Sequence, residues 1–523
     1  MIEIDPTLRY WGWGFLALYV GMMFVIGIIG MRRVNSSDDF ATARGAYGPV
    51  FLALALSATS ASGGTFIGLP AMAYEAGLSA IWYAVVYPPA IYVGVILALR
   101  AVRRAGERFG NRSMPEYLGD RFQSDALRVI VALFSLMLMF YLAAQLLSGA
   151  VLFTKMMGIE LFPALVVTAL ILLVYIVIGG AHADIMTDGV QGALMLVLAL
   201  AVVIMFINGY GVAGGFDGMI ETLNALDPDL TRVLHPTHPI LNSWWAIFAI
   251  AATHAPVGLL PHIGNKLWAL RSDREQVQFI VIAFSCAALL AAITVGGVLA
   301  RAVLGDTLLA PGANPNDALP MLFIALLPTW LAALIGAGVL AAVMSTADGL
   351  LVSSSQIFAN DIYRRTLAPR LRPQPSATEI DRMGLRISRI ATIVITAAAI
   401  AVAWASQTMN IAVLVWTGIG GLSAALAGPM FIGILWRRST RAGALTGFIN
   451  GGLTFIVLKS EIIDGAWFNN GPMGSALAWT AAQGANPFAC ATLGGFVSIA
   501  VMCVVSLFTE PLDADHLAKV FDA

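Results

Sequence analysis

Long apolar stretches follow one another from residue 10 to residue 508, and short segments between them collect most of the charge. A helix needs about 20 mostly apolar residues to cross a bilayer. Thirteen runs meet that need, near 10–31, 48–77, 78–103, 126–156, 161–180, 185–209, 242–266, 277–304, 318–360, 386–407, 410–436, 440–459 and 486–508. The runs at 48–77 and 318–360 exceed a single crossing, so they are expected to be broken, tilted or extended into loop helices. The first run is not a cleaved signal, because the leading MIEIDPTLRY carries acids and one arginine rather than a basic segment.

Composition agrees with this pattern. Charged residues are 11% of the chain, against roughly 25% in soluble domains. Hydrophobic residues are 59% and mean hydropathy is +0.83. An all-α integral membrane protein is expected, and a soluble enzyme, a disordered chain or a nucleic-acid partner is excluded. The 29 basic and 30 acidic residues give no polyanion signal. Cys286, Cys490 and Cys503 are too few and scattered for a disulfide scaffold or a metal site. There is no phosphate-binding P-loop and no HExxH, so the energy source is expected to be a gradient.

Threading the runs alternately places 24 of the 29 basic residues on one face, leaving only Arg9, Lys155, Arg232, Arg301 and Lys459 on the other. The positive-inside rule then puts the N-terminus outside and the C-terminus in the cytoplasm. A plasma membrane, of the bacterial inner-membrane type, is expected. The segment near 210–241 becomes an external loop, and 361–385 a Pro/Arg-rich cytoplasmic connector.

Two runs look interrupted. The second holds Ser57-Ala-Thr-Ser-Ala-Ser-Gly-Gly-Thr-Phe-Ile-Gly68, whose small polar residues and paired glycines weaken a helix. The seventh holds His254-Ala-Pro-Val-Gly-Leu-Leu-Pro-His262, where Pro256 and Pro261 each remove a donor. The breaks are five runs apart and their runs cross in opposite directions, as an inverted repeat requires. The expected plan is a first helix and connector (1–47), a five-helix repeat (48–209), an external loop (210–241), a second repeat (242–436) and two added helices with a short tail (437–523). The competing explanation is that Gly and Pro are simply common in membrane helices. A broken helix leaves carbonyls that are tolerated only against protein or a watery cavity. Such carbonyls suit a hard cation such as sodium.

Several polar residues fall inside the runs. Ser345 and Thr346 are adjacent hydroxyls, each able to bond a carbonyl one turn back. Asp348 is a costly group in that setting and shares a helix face with Ser345. Asp188 lies in the sixth run or at its solvated end, and His182 and Asp184 before it read as loop residues. Lys266 can snorkel to the inner interface. His254 and His262 are either proton-responsive groups or satisfied by neighbouring helices. His235 and His238 belong to the external loop. Tyr141 and Gln145, four apart, share a face as cavity lining or as interhelical glue. Trp416 and Thr417 precede a glycine cluster and are cavity candidates.

The stretches SATSASGGTFIGLPAMAYEAG, TDGVQG, AAVMSTADGLLVSSS with the following NDIYRR, and DDFATARGAYGPV together resemble the sodium:solute symporter family over roughly residues 10–460. The resemblance implies a five-plus-five inverted-repeat (LeuT-type) bundle of about 13 helices. It also implies Na+ as the coupling ion, bound by carbonyls of Ala58, Ala61 and Ala342 and hydroxyls of Ser345 and Thr346. Some members hold a second sodium at the acidic residue matching Asp188. Here Asp348 and Gly349 stand where hydroxyls belong, which points instead to a second cation or proton at Asp188, Ser345 and Asp348. The motif GLLPHIGNK is similar to pantothenate and monocarboxylate members, while Thr65 stands where sugar carriers have an amide. The expected substrate is a small organic carboxylate, with proline the nearest competitor. Its contacts are expected at Ser60, Ser62, Thr65, Tyr141, Gln145, Pro256, His262 and Trp416. The rivals are proton-driven uptake on the same fold and a sensor that binds solute without moving it. No nucleophile–base pair supports an enzyme, and no obligatory protein partner is evident.

Overall fold

The computed structural model describes residues 6–32, 46–111, 113–260, 262–263, 273–465 and 471–521. Pro261, Lys266, the rest of GLLPHIGNK past Ile263 and most of DDFATARGAYGPV lie outside the described residues. The chain is helical throughout, with no strand among the described residues.

The principal helices are α1 (Thr7–Met31), α2 (Pro49–Ser60), α3 (Leu69–Ala76), α4 (Ile81–Phe109), α5 (Met114–Arg121), α6 (Asp125–Phe134), α7 (Leu138–Met157) and α8 (Leu161–Ile207). They continue as α9 (Gly215–Leu226), α10 (Trp244–His254), α11 (Asp273–Ala291), α12 (Val295–Leu304), α13 (Ala318–Leu326), α14 (Thr329–Gln356), α15 (Ala377–Ala405) and α16 (Ile411–Ala427). The last are α17 (Arg441–Lys459), α18 (Gly471–Ala481), α19 (Pro487–Phe508) and α20 (Ala514–Phe521). Several of their starts carry side-chain caps. Ser113 accepts the Glu116 amide before α5, and Ser376 and Glu379 form a reciprocal box before α15.

Among the described residues, ten helices are long and apolar enough to cross a membrane. The three further expected crossings are present as shorter pieces, namely α2, the first arm of α8, and α10. Large apolar side chains such as Leu18, Phe162, Val197 and Ile393 stay exposed, the face that hydrocarbon would cover.

Both over-long runs are divided. The second stops at Ser60 and resumes as a wide π-type turn over Gly64–Gly68. The ninth splits at Leu327, where extended backbone separates α13 from α14.

Other expectations are corrected. The segment 210–241 is not a plain loop, since it contains α9 and a 3-10 turn over Pro228–Thr231. The connector 361–385 shortens, because a π-type helix runs on to Leu367 and α15 begins at Ala377. His182 and Asp184 are not loop residues; both are inside α8. Their polarity imitates a turn, but the helix keeps its backbone paired through them. The 47 residues of α8 would span about 70 Å if straight. Yet Met156, just before α8, packs on Gly336, and Leu198, near its far end, faces Gly338 on the same helix. Ala183, between them, lies against Gly30 near the opposite end of α1. Both ends of the element thus lie against the same stretch of α14, and its arms Leu161–Leu173 and His182–Ile207 are the expected fifth and sixth crossings.

Candidate functional site

The first break begins where α2 ends. Ala61 leaves helical geometry (φ −91°, ψ 81°), and its amide is the last to donate to a helical carbonyl, that of Ser57. The next amides turn elsewhere. Gly63 donates to Gln145 Oε1 at 2.8 Å, Gly64 to Ser62 Oγ at 3.1 Å, and Thr65 to the Ser62 carbonyl at 2.8 Å. In an unbroken helix those three amides would serve the carbonyls of residues 59, 60 and 61. The break thus releases a run of carbonyls in a buried place, and such groups need partners.

The partners come from α14. Ser345 Oγ donates to the Ala58 carbonyl at 2.9 Å and lies 3.2 Å from that of Ala342. Thr346 Oγ1 donates to the Thr59 carbonyl at 2.8 Å. Ser345 and Thr346 are fully buried. Four of the five residues expected at the sodium site, Ala58, Ala342, Ser345 and Thr346, are joined by these contacts, and Ala61 is the breaking residue itself. The donor set is all oxygen and carries no net charge. A hydroxyl that now donates to a carbonyl can turn a lone pair toward a cation placed among the same oxygens, so the residues fit a hard monovalent ion.

Beside this cluster are three carboxylates. Asp184, Asp188 and Asp348 each offer an oxygen, and these lie within 4.8 Å of one another. Asp188 is fully buried and accepts a 2.7 Å hydrogen bond from Thr59 Oγ1, so of its two readings the solvated helix end does not hold. The sequence pattern pointed to Asp188 and Asp348 but missed Asp184 and Thr59. Asp184 is one helical turn before Asp188, a spacing that becomes visible only once that segment is known to be helical. Ser345 spends its hydroxyl on the two carbonyls rather than on a carboxylate.

On the other side of the break is a cavity of about 390 Å³. Ser60, Ser62, Thr65, Tyr141 and Trp416 line it, while Gln145, Pro256 and His262 do not. Gln145 is fully buried and holds the Gly63 amide instead, and the His262 ring sits edge-on to Tyr141 at 5.4 Å. Residues the sequence did not single out as lining include Tyr83, Tyr87 and Val415. No charged side chain is among the described lining residues.

One wall of the cavity belongs to the second break. There α10 ends at His254, a 3-10 turn covers Ala255–Leu259, and Leu260 is extended. His254 Nδ1 lies 2.6 Å from the Ile250 carbonyl, which can only accept, so Nδ1 carries the proton. Its Nε2 is then an acceptor for the Tyr83 hydroxyl at 3.1 Å, and that hydroxyl accepts from the Trp416 indole at 2.8 Å. The relay fixes three rings, with His254 and Trp416 centroids 4.5 Å apart. Two glycines seat this wall on α4. A Cβ at Gly94 would meet the Ala255 carbonyl oxygen at 1.8 Å, and one at Gly258 would meet that of Ile91 at 2.8 Å.

Two crossings interrupted five apart, with an oxygen cluster at one and a cavity between them, define a LeuT-type secondary carrier. The chain belongs to the sodium:solute symporter family, whose family model matches residues 40–451. Membership makes Na+ the coupling ion. A sodium/pantothenate symporter of Escherichia coli is 27% identical over 460 residues, 85% of this chain and 90% of that one. A sodium/proline symporter of the same organism is 29% identical over 471 residues, 87% of this chain and 90% of that one. A solved structure of a Na+-coupled sialic acid symporter superposes with a TM-score of 0.72 at 19% identity, covering 96% of this chain and 98% of that one.

Proposed function

We propose that this chain imports a small organic carboxylate with sodium across a bacterial-type inner membrane, with its N-terminus outside and its C-terminus in the cytoplasm. The observation that carries this reading is the sharing of one broken helix by two sites. Ser60, Ser62, Gly64 and Thr65 face the cavity, while the Ala58 and Thr59 carbonyls face Ser345 and Thr346. An ion at Ala58, Ala61, Ala342, Ser345 and Thr346 would hold the break in the geometry that shapes the cavity. Coupling of this kind is a free energy between sites, typically 1–3 kcal/mol. The two repeats, 48–209 and 242–436, would then rock about the shared helix.

A carboxylate suits a cavity with no cationic side chain if its charge is met by hydroxyls and by the positive end of a half-helix. Gly64 and Thr65 open such a half-helix. Pantothenate and proline, named for the E. coli relatives, both carry a carboxylate. Uptake of labelled pantothenate and proline into proteoliposomes under an inward sodium gradient tests the reading. Transport of neither, with no effect of either on sodium-dependent thermal stability, would remove the carboxylate class. Ligand-induced stabilisation without flux would indicate a sensor.

The carboxylate cluster supports a second coupling locus. Asp188 and Asp348, with Asp184 beside them, are close enough that full ionisation demands positive charge nearby. On this reading the locus takes a second cation or a proton. Uptake driven by a pH gradient in sodium-free medium, and abolished in Asp188→Asn, would assign the proton. A flux ratio of two sodium ions per solute, reduced to one by the same variant, would assign the cation.

A further inference from the structure

A second pocket, sharing no lining residue with the carrier site, lies at the end of α4. Arg104, Arg108, Arg121 and Lys519 line it with Tyr117 and Phe109, and no acidic residue is among its described lining. Arg121 is the informative member, because only 2% of it is exposed. Its Nε donates to the Gly433 carbonyl at 2.9 Å and its Nη2 to Ser439 Oγ at 2.8 Å. Phe122 and Phe521 cover its planar faces at 4.7 and 4.8 Å. Its Nη1 is buried with no acceptor. An arginine does not shed its proton, and a buried charge without a counter-ion is costly. Burial pulls Arg121 down to about 10, with the neighbouring Tyr117 acting in the other direction. The site therefore has a fixed, desolvated cation with one donor unused and three more cations around it.

The C-terminal helix α20 closes this pocket. His516 Nε2 lies 3.2 Å from the Arg121 carbonyl, and Arg108 Nη1 donates to the Lys519 carbonyl at 2.5 Å. The apolar run of 78–103 is over by Arg104, so Arg104 and Arg108 fall in the basic segment that follows this crossing, on the side the positive-inside rule makes cytoplasmic. Basic pockets on that side recognise phosphate headgroups.

We propose that this pocket is an anion site that takes a phosphate group, supplied by an acidic phospholipid headgroup and received by Arg121 Nη1 with Arg104, Arg108 and Lys519. Bound there, the phosphate ties α20 to the α4–α5 corner.

The test uses the purified full-length protein in detergent. Retention of added phosphatidylglycerol and phosphatidylcholine is followed by native mass spectrometry, and thermal unfolding is followed with inorganic phosphate or chloride. The variants are Arg121→Gln and the peripheral pair Arg104→Gln/Arg108→Gln, which keeps the fold if Arg121→Gln does not. The expected result is preferential retention of phosphatidylglycerol, weakened roughly thirtyfold in the double variant at about 1 kcal/mol per cation. Stabilisation by inorganic phosphate alone, lost in the double variant, would keep the phosphate site and name a soluble source. Equal lipid retention and equal phosphate response in wild type and double variant would overturn the proposal.

Discussion

The two interrupted helices occupy corresponding places yet are finished with opposite chemistry. At the first, Gly63 and Gly64 leave the helix through side-chain acceptors, and the freed carbonyls turn to hydroxyls on α14. The result is a buried nest of oxygens. At the second, Pro256 lets the chain leave through a 3-10 turn, and the surroundings are rings: Tyr83, Tyr87, Phe488 and Trp416 around His254. The first interruption turns its Ala58 and Thr59 carbonyls to the proposed ion site and its Ser60, Ser62 and Thr65 to the cavity, whereas the second adds only cavity wall, through His254 and Val257. The difference arises because glycine and serine leave the backbone approachable, whereas proline deletes a donor and crowds the preceding turn.

If the division is right, damage to each break should be selective. The largest effect is expected from Ser345→Ala/Thr346→Ala, which removes both buried hydroxyls of the oxygen nest. At about 1.5 kcal/mol each, the sodium concentration for half-maximal uptake should rise on the order of a hundredfold. Solute affinity at saturating sodium should change little. Sodium titration of counterflow reads this, and an unchanged curve would remove the ion from this place. Next comes Gln145→Ala, which leaves the Gly63 amide buried without its acceptor. A loss of about 1–3 kcal/mol is expected, seen as a lower melting temperature and weaker sodium stabilisation together. A drop in melting temperature alone would make Gln145 mere interhelical glue.

At the second break, Tyr83→Phe cuts the relay from Trp416 to His254. Solute affinity should fall about fivefold, one ordinary hydrogen bond, while the sodium curve stays in place. A parallel shift of both would mean that the two breaks do not divide the labour. The smallest effect lies in the segment between the repeats. Burial and the neighbouring His235 hold His238 down to about 4, from 6.5. The folded state thus favours the neutral ring, and the unfolded state binds more protons between those values. Stability from His238 is complete above about 6.5 and is lost as pH falls toward 4. Hydrogen exchange over 228–243 should quicken in that window, and His238→Gln should flatten the response.

Much of this architecture was legible before any coordinates. Ser-Gly-Gly and the paired prolines announced the breaks, because those residues act on the backbone locally. Ser345 and Thr346 were visible as hydroxyls that an apolar run does not need. The cavity wall was not, since Tyr83 and Tyr87 are ordinary members of a hydrophobic stretch, and their role depends on which helix crosses which. Gln145 read equally as lining or glue, and only its 2.8 Å contact with the Gly63 amide shows what it holds. Asp184 was hidden by its own neighbourhood, where a polar cluster imitates a turn. Arg121 gave no signal, because a lone arginine among basic neighbours resembles any cytoplasmic loop until its burial is known.

The glycine contacts at Gly94 and Gly258 carry a mechanical consequence. At Gly94 main chain rests directly on main chain, and at Gly258 the α4 backbone and the Val95 side chain close in together. Surfaces so closely seated cannot slide without first separating, so this pair should travel as one rigid block whenever the carrier changes its opening. The flexing must be accommodated at other joints, and an alanine at either glycine would act as a wedge that biases the resting posture.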